Sequence, residues 1–207
     1  MPRRVWEVLR LPPLPTGPQT ALVVLAGLPG TGKSHLAAAV AAQRSVVILR
    51  TDTVRKVLVP HPTYSSVESG RVYHTCHTVI RSLLAKGYPT LFDATNLTEQ
   101  GRRRLRCLAS DAGASYLLVW VEAPPDVVQD RLADRAKGAP AYDSDADWAV
   151  YGILQATVQR PQQPHLVADT QGALDEAVTA VVGFLDAGQS SRRGVGAVQV
   201  DSPKQVA

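Results

Sequence analysis

From residue 20 onward, short apolar runs alternate with stretches whose apolar residues recur every three to four positions. Ala21–Ala26 (ALVVLA) is an unbroken apolar run that ends at a glycine, the pattern of a strand buried on both faces. Lys33–Gln43 is alanine-rich and predicts a helix, and Ser45–Leu49 (SVVIL) predicts a second buried strand. Over Ser66–Lys86, Tyr73, Cys76, Ile80, Leu83 and Leu84 fall on one helical face. Pro89–Phe92 is a short third strand ending at Asp93. Thr98–Ala112 is a helix with Leu105, Leu108 and Ala112 inward and its arginines outward. Tyr116–Val121 predicts the fourth strand, Pro125–Ala136 a helix with proline in its first turn, and Ala146–Gln159 a helix carrying Trp148, Tyr151, Leu154 and Val158. Leu166–Ala168 and Leu174–Leu185 read as a fifth strand and a closing helix. Regular β/α alternation implies an α/β fold with a parallel sheet covered by helices, whose ligands sit at the carboxyl ends of the strands.

The flanks differ from this pattern. Residues 1–19 are proline-rich and read as an extended arm, and residues 187–207 are small, polar and aperiodic, which predicts a disordered tail. Residues 20–186 are then one domain. No apolar run reaches the roughly 18 residues of a membrane span, no signal-peptide stretch precedes the first prolines, and two cysteines make no disulfide framework. These features predict a cytoplasmic protein with no membrane association; oligomeric state is not legible. The net charge of +4 resides at the ends. Inside the domain, residues 21–110 hold 12 Lys/Arg against 4 Asp/Glu, and residues 111–186 the reverse, a polarity that suits phosphorylated ligands unless the halves interleave in space.

The strongest chemical signal is Gly27-Leu28-Pro29-Gly30-Thr31-Gly32-Lys33-Ser34, a G-x-x-x-x-G-K-[ST] motif between a predicted strand and a predicted helix. Its glycines let backbone N–H groups close around phosphates at a helix N-terminus, Lys33 reaches the β and γ phosphates, and Ser34 is a ligand for Mg²⁺. No N-K-x-D reads guanine and no L-S-G-G-Q marks a transporter ATPase. Asp93 ends the third strand, where it can hold magnesium or its waters. It is followed by Ala94 rather than the glutamate of a hydrolytic ATPase, which favours transfer to a hydroxyl over hydrolysis.

A hydroxyl acceptor needs a base, and the second strand delivers Asp52 to the same rim as the phosphate loop. Arg55, three residues on, can steer an anionic acceptor or brace Asp52; the alternative is Asp52 as a helix N-cap with Arg55 in solvent. Thr95 and Asn96 follow the third strand onto the rim as acceptor contacts. Arg102, Arg103, Arg104 and Arg106 are either a basic acceptor surface or, at least in part, a solvated helix face. Arg131 and Arg135 share a helix face, either as lid cations over the phosphates or as partners of Asp130 and Asp134. Arg160, before Pro161, is a candidate to stack near adenine. Trp120 and Trp148 are expected in the core, and His74 and His77 in helix packing without a metal.

GLPGTGKS, RTDTVR, DATNLTEQGRRRL and EAPPDVVQDRLADR together resemble the P-loop kinases related to phage polynucleotide kinase, the AAA_33-type kinases, over about residues 20–186. The resemblance implies a three-layer α/β/α P-loop fold with a parallel five-stranded sheet in the order 2-3-1-4-5 and a helical lid. It also implies ATP and Mg²⁺ as cofactors, Asp52 as general base, Arg55 on acceptor phosphate, and Arg131 and Arg135 acting from the lid. The expected activity is transfer of the γ-phosphoryl group to a hydroxyl, the 5′-hydroxyl of a polynucleotide being the first choice. Small-molecule acceptors, as in gluconate kinases, chloramphenicol phosphotransferases and zeta-type toxins, are the alternative, and a nucleotide-dependent switch without an acceptor is a third reading.

Overall fold

The computed structural model describes residues 2–13, 20–137, 146–172 and 174–190. In chain order the elements are α1 (Pro2–Val8), β1 (Ala21–Ala26), α2 (Lys33–Gln43), β2 (Val47–Arg50), α3 (Thr51–Leu58), α4 (Ser66–Ala85) and β3 (Thr90–Asp93). There follow α5 (Glu99–Asp111), β4 (Ser115–Glu122), α6 (Pro125–Ala136), α7 (Trp148–Gln155), β5 (Leu166–Asp169) and α8 (Asp175–Ser190). The five strands form one parallel sheet in the order β2-β3-β1-β4-β5, as the family resemblance implies.

β1 is the central strand, and all six of its residues are buried. Its two faces serve different layers because side chains alternate across a strand. Leu22, Val24 and Ala26 pack into a core shared with α1, α3, α4 and α5, while Ala21, Val23 and Leu25 pack into a second core shared with α2 and α8. Burial on both faces explains the unbroken apolar run in the sequence. A small third cluster of Val128, Leu132 and Tyr151 joins α6 to α7 beside Leu28 of the phosphate loop. No helix among the described residues is long and apolar enough to cross a membrane.

Three expectations change. Residues 2–8 form a helix rather than an extended arm, because Val5 is fully buried and Trp6 and Leu9 pack against the first core; Pro2 stands where a missing N–H costs nothing. The closing helix runs to Ser190, so it takes in the first residues of the expected tail; residues 191–207 and 14–19 lie outside the described residues. Trp120 is buried, but Trp148 is 40% exposed and stacks on Tyr151 at 4.7 Å.

Candidate active site

The phosphate loop joins β1 to α2, and its backbone is held from behind. Gly27 has φ +148°, and a Cβ there would run into the carbonyl oxygen of Val121. Gly32 has φ +91°, with Thr170 at 3.1 Å from the position of a Cβ. Only glycine combines these backbone angles with so close an approach. Thr31 donates its hydroxyl to Leu28 O at 2.8 Å, and Gly27 N–H donates to Thr95 O at 2.9 Å. Pro29, Gly30, Gly32, Lys33 and Ser34 face a cleft of 1020 Å³ on the carboxyl rim of the sheet. Gly27, Leu28 and Thr31 support the loop from outside that lining.

Lys33 is buried and donates to Leu28 O at 2.7 Å. Burial pushes its ammonium down to about 8; the nearby carboxylates of Asp93 and Asp52 oppose that shift, and Arg135 adds to it. Ser34 donates to the Asp93 carboxylate at 2.6 Å, and Arg50 Nε lies 3.3 Å from the same oxygen. The parallel register sets Arg50 beside Asp93 at the ends of β2 and β3. A serine hydroxyl and a carboxylate touching beside a phosphate loop are hard oxygen donors suited to Mg²⁺.

Asp52 lines the same cleft in the first turn of α3. It is not the N-cap, a position taken by Arg50. Arg55, one turn on, also lines the cleft, but it is buried and bound to Glu68 rather than solvated. Its guanidinium also lies 3.3 Å from Ser69 Oγ and 4.6 Å from the centroid of the Tyr64 ring, while its Nε has no hydrogen-bond partner. Glu68 accepts from the Thr63 N–H at 2.7 Å. That bond, reinforced by the Thr63 hydroxyl and Arg55, holds its carboxyl down at about 2 against burial.

Thr95 reaches the cleft, with its hydroxyl 3.4 Å from that of Tyr73. Asn96 does not. It is buried with φ +47°, and its side-chain amide donates to Leu25 O at 2.7 Å, so it braces β1 rather than contacting an acceptor. Arg102 is wholly buried, donating to Asn96 O and Glu99. Arg103 and Arg104 are exposed on the outer face, and none of the four α5 arginines lines the cleft. Arg160 pairs with Glu122 at 3.2 Å, lies 6.0 Å over Trp120 and is not among the residues that line the cleft.

Arg131 and Arg135 both line the cleft from α6. Arg131 pairs with neither neighbouring aspartate; it donates to Thr170 Oγ1 at 2.8 Å and to Thr170 O at 2.6 Å. Thr170 in turn donates to Thr31 O at 2.8 Å, which ties α6 to the phosphate loop through the turn after β5. Asp134 pairs with Lys137 instead. Thr170 and Glu68 are residues that sequence reasoning missed. Thr170 carries no local signal. Glu68 stands in a Ser-x-x-Glu pattern at the start of α4, where Ser65 does cap Glu68 N–H, so a capping box marks it.

Similarities to known proteins bear on the fold and the family. A kinase with a comparable fold is the APS kinase of Mycobacterium tuberculosis, solved with AMPPNP and APS: TM-score 0.60 at 23% identity, covering 82% of this chain and 99% of that one. An L-seryl-tRNA(Sec) kinase of Methanococcus maripaludis is 25% identical over 124 residues, 58% of this chain and 48% of that protein. An uncharacterized protein of Mycobacterium tuberculosis is 31% identical over 169 residues, 76% of this chain; the chain matches about a third (33%) of that relative's length. Residues 22–161 match the AAA_33 model, described as an AAA domain, and the chain therefore belongs to the AAA_33 family of P-loop, kinase-like proteins.

Proposed function

We propose that the protein is an ATP-dependent kinase that moves the γ-phosphoryl group to a hydroxyl, with the 5′-hydroxyl of a polynucleotide as acceptor. The observation that carries this reading is the convergence of Lys33, the Ser34–Asp93 contact, Asp52, Arg131 and Arg135 on one cleft. Ser34 and Asp93 would hold Mg²⁺, which supplies charge neutralisation at the phosphates when bound. Lys33 and the loop N–H groups bind and orient the phosphates. Asp52 accepts the proton of the acceptor hydroxyl as its oxygen bonds to the γ phosphorus and the bond to the ADP oxygen breaks. Arg135, which makes no ion pair among the described residues, and Arg131 stabilise charge on the moving group.

The likeness to an L-seryl-tRNA(Sec) kinase supports a hydroxyl on, or attached to, a polynucleotide. A small-molecule acceptor is the second reading. It is favoured by the Tyr64, Tyr73, Val150 and Leu154 walls of the cleft and by the placement of the α5 arginines outside it. The test is transfer from γ-labelled ATP to a 5′-hydroxyl oligonucleotide, with Lys33→Ala as control. Label on the oligonucleotide that disappears in the variant supports the first reading. Label found only on small alcohols supports the second, and ATP binding with no labelled product overturns both.

A further inference from the structure

A second concavity, of 470 Å³, lies on the outer face between α4 and α5, lined by His74, His77, Arg81, Arg103, Arg104 and Asp111 among others. Its three arginines share with Arg3, Arg4, Arg10, Arg71, Arg131 and Arg135 the lack of an ion pair among the described residues, unlike six others. Arg44, Arg50, Arg55, Arg102, Arg106 and Arg160 each lie against a carboxylate. Asp111 is the one carboxylate in the lining. Burial, followed by the fields of Arg104, His74 and Arg81, pushes His77 below its ordinary value.

The groove adjoins the acceptor end of the cleft. Both helices lead back to strand starts in a parallel sheet, so both begin at the carboxyl rim and run down the outside. Tyr73 lines the cleft and meets the His77 ring edge-on at 6.3 Å, and Gln100 of the groove follows closely on Thr95 of the cleft. From His74 to Arg81 is about 10 Å at 1.5 Å per residue, longer than the roughly 3.4 Å of duplex axis that each phosphate of one strand occupies. Apart from Gln100 in the first turn of α5, the lining residues are inside helices, where backbone N–H groups are already committed. The groove therefore offers spread side-chain cations rather than an enclosing nest, which suits a string of phosphates better than one compact anion.

We propose that the α4–α5 groove holds the phosphate backbone of a polynucleotide whose end enters the acceptor side of the cleft. This rests on the kinase reading above and extends it to the strand behind the acceptor. The test is fluorescence anisotropy of the full chain with a single-stranded 5′-hydroxyl oligonucleotide between about 50 and 200 mM salt. Arg103→Glu/Arg104→Glu should weaken binding by tenfold or more and lower the salt slope by about 1.4, at about 0.7 per lost phosphate contact. Arg3→Glu/Arg4→Glu, an equal charge change on α1, should alter binding less than threefold. The reversals are at exposed positions; Arg81→Gln, a milder change on the other helix, should weaken binding severalfold.

Equal losses in the α1 and α5 variants would mean attraction to overall charge and would overturn the groove. So would displacement of the oligonucleotide by inorganic tripolyphosphate at matched phosphate concentration. Transfer is read separately. Binding that depends on the groove, without label on the oligonucleotide, removes the polynucleotide as acceptor and leaves the groove a polynucleotide surface. Label on the oligonucleotide with binding indifferent to the α5 reversals removes the groove and leaves the kinase.

Discussion

On the proposed kinase reading, the phosphate end and the acceptor end of the cleft are built differently. At the phosphate end, backbone does most of the recognition, and three distant segments hold it still. Asn96 fixes the end of β1, Val121 sits against Gly27, and Thr170 sits against Gly32. At the acceptor end, side chains from α3, α4 and α7 supply the surface, Tyr64 is 48% exposed, and the buried Arg55 keeps one nitrogen without a partner. Phosphates are common to every ATP-dependent reaction, so their cradle can be rigid. An acceptor differs from one enzyme to the next, and side chains on separate helices can vary without disturbing the loop.

Removing the base should separate the two ends most sharply. Asp52→Asn should reduce transfer by roughly 10²–10⁴-fold, while nucleotide affinity, measured by titration calorimetry, changes less than threefold. Transfer within threefold of wild type would remove Asp52 as base. Asn96→Ala tests the opposite claim, that a residue expected to touch the acceptor instead supports the phosphate end. Loss of its bond to the buried Leu25 carbonyl should destabilise the fold by about 2 kcal/mol, lowering Tm by roughly 4–8 °C. The acceptor KM should stay unchanged; a raised KM with unchanged Tm would return Asn96 to the acceptor.

This asymmetry also governs what could be read from the sequence. The phosphate loop is eight contiguous residues with a period change on either side, so its position was plain from local pattern. Strand order was available only through the family resemblance, because pairing of β1 with β3 and β4 leaves no local mark. Asn96 misled because it follows a rim strand, and its turn to the interior depends on Leu25, 71 residues away. Arg102 looked like one of a row of surface cations, yet it is the one that the helix face buries. Prolines around residues 12–18 hid the short helix before them, whose Val5 needed a partner core to be recognised.

The Arg55–Glu68 pair should affect only the acceptor end. Glu68→Gln leaves the Thr63 contact a possible acceptor oxygen but removes the charge that aligns Arg55. Roughly a tenfold rise in acceptor KM is expected, with kcat and ATP affinity within twofold; Glu68→Asp should recover part of the loss. A matching fall in ATP affinity would show that the two ends are not separable.

A pH dependence is expected at the phosphate end. Burial lowers Lys33 to about 8, so the empty enzyme loses this charge between pH 7 and 9. Bound phosphate favours the protonated amine, so nucleotide affinity should fall about tenfold over that interval, with proton uptake measurable by calorimetry in buffers of different ionisation heat. Stability of the empty fold moves the other way. The unfolded lysine titrates near its ordinary 10.5, so between about 8 and 10.5 the unfolded chain binds more protons and the Lys33 contribution to stability grows as pH rises. Asp52→Asn removes one of the two carboxylates that oppose the burial shift, so the midpoint for nucleotide binding should move to lower pH. In Lys33→Ala the residual affinity should show no step near pH 8. A step that persists there would assign the titration to another group and leave Lys33 charged throughout.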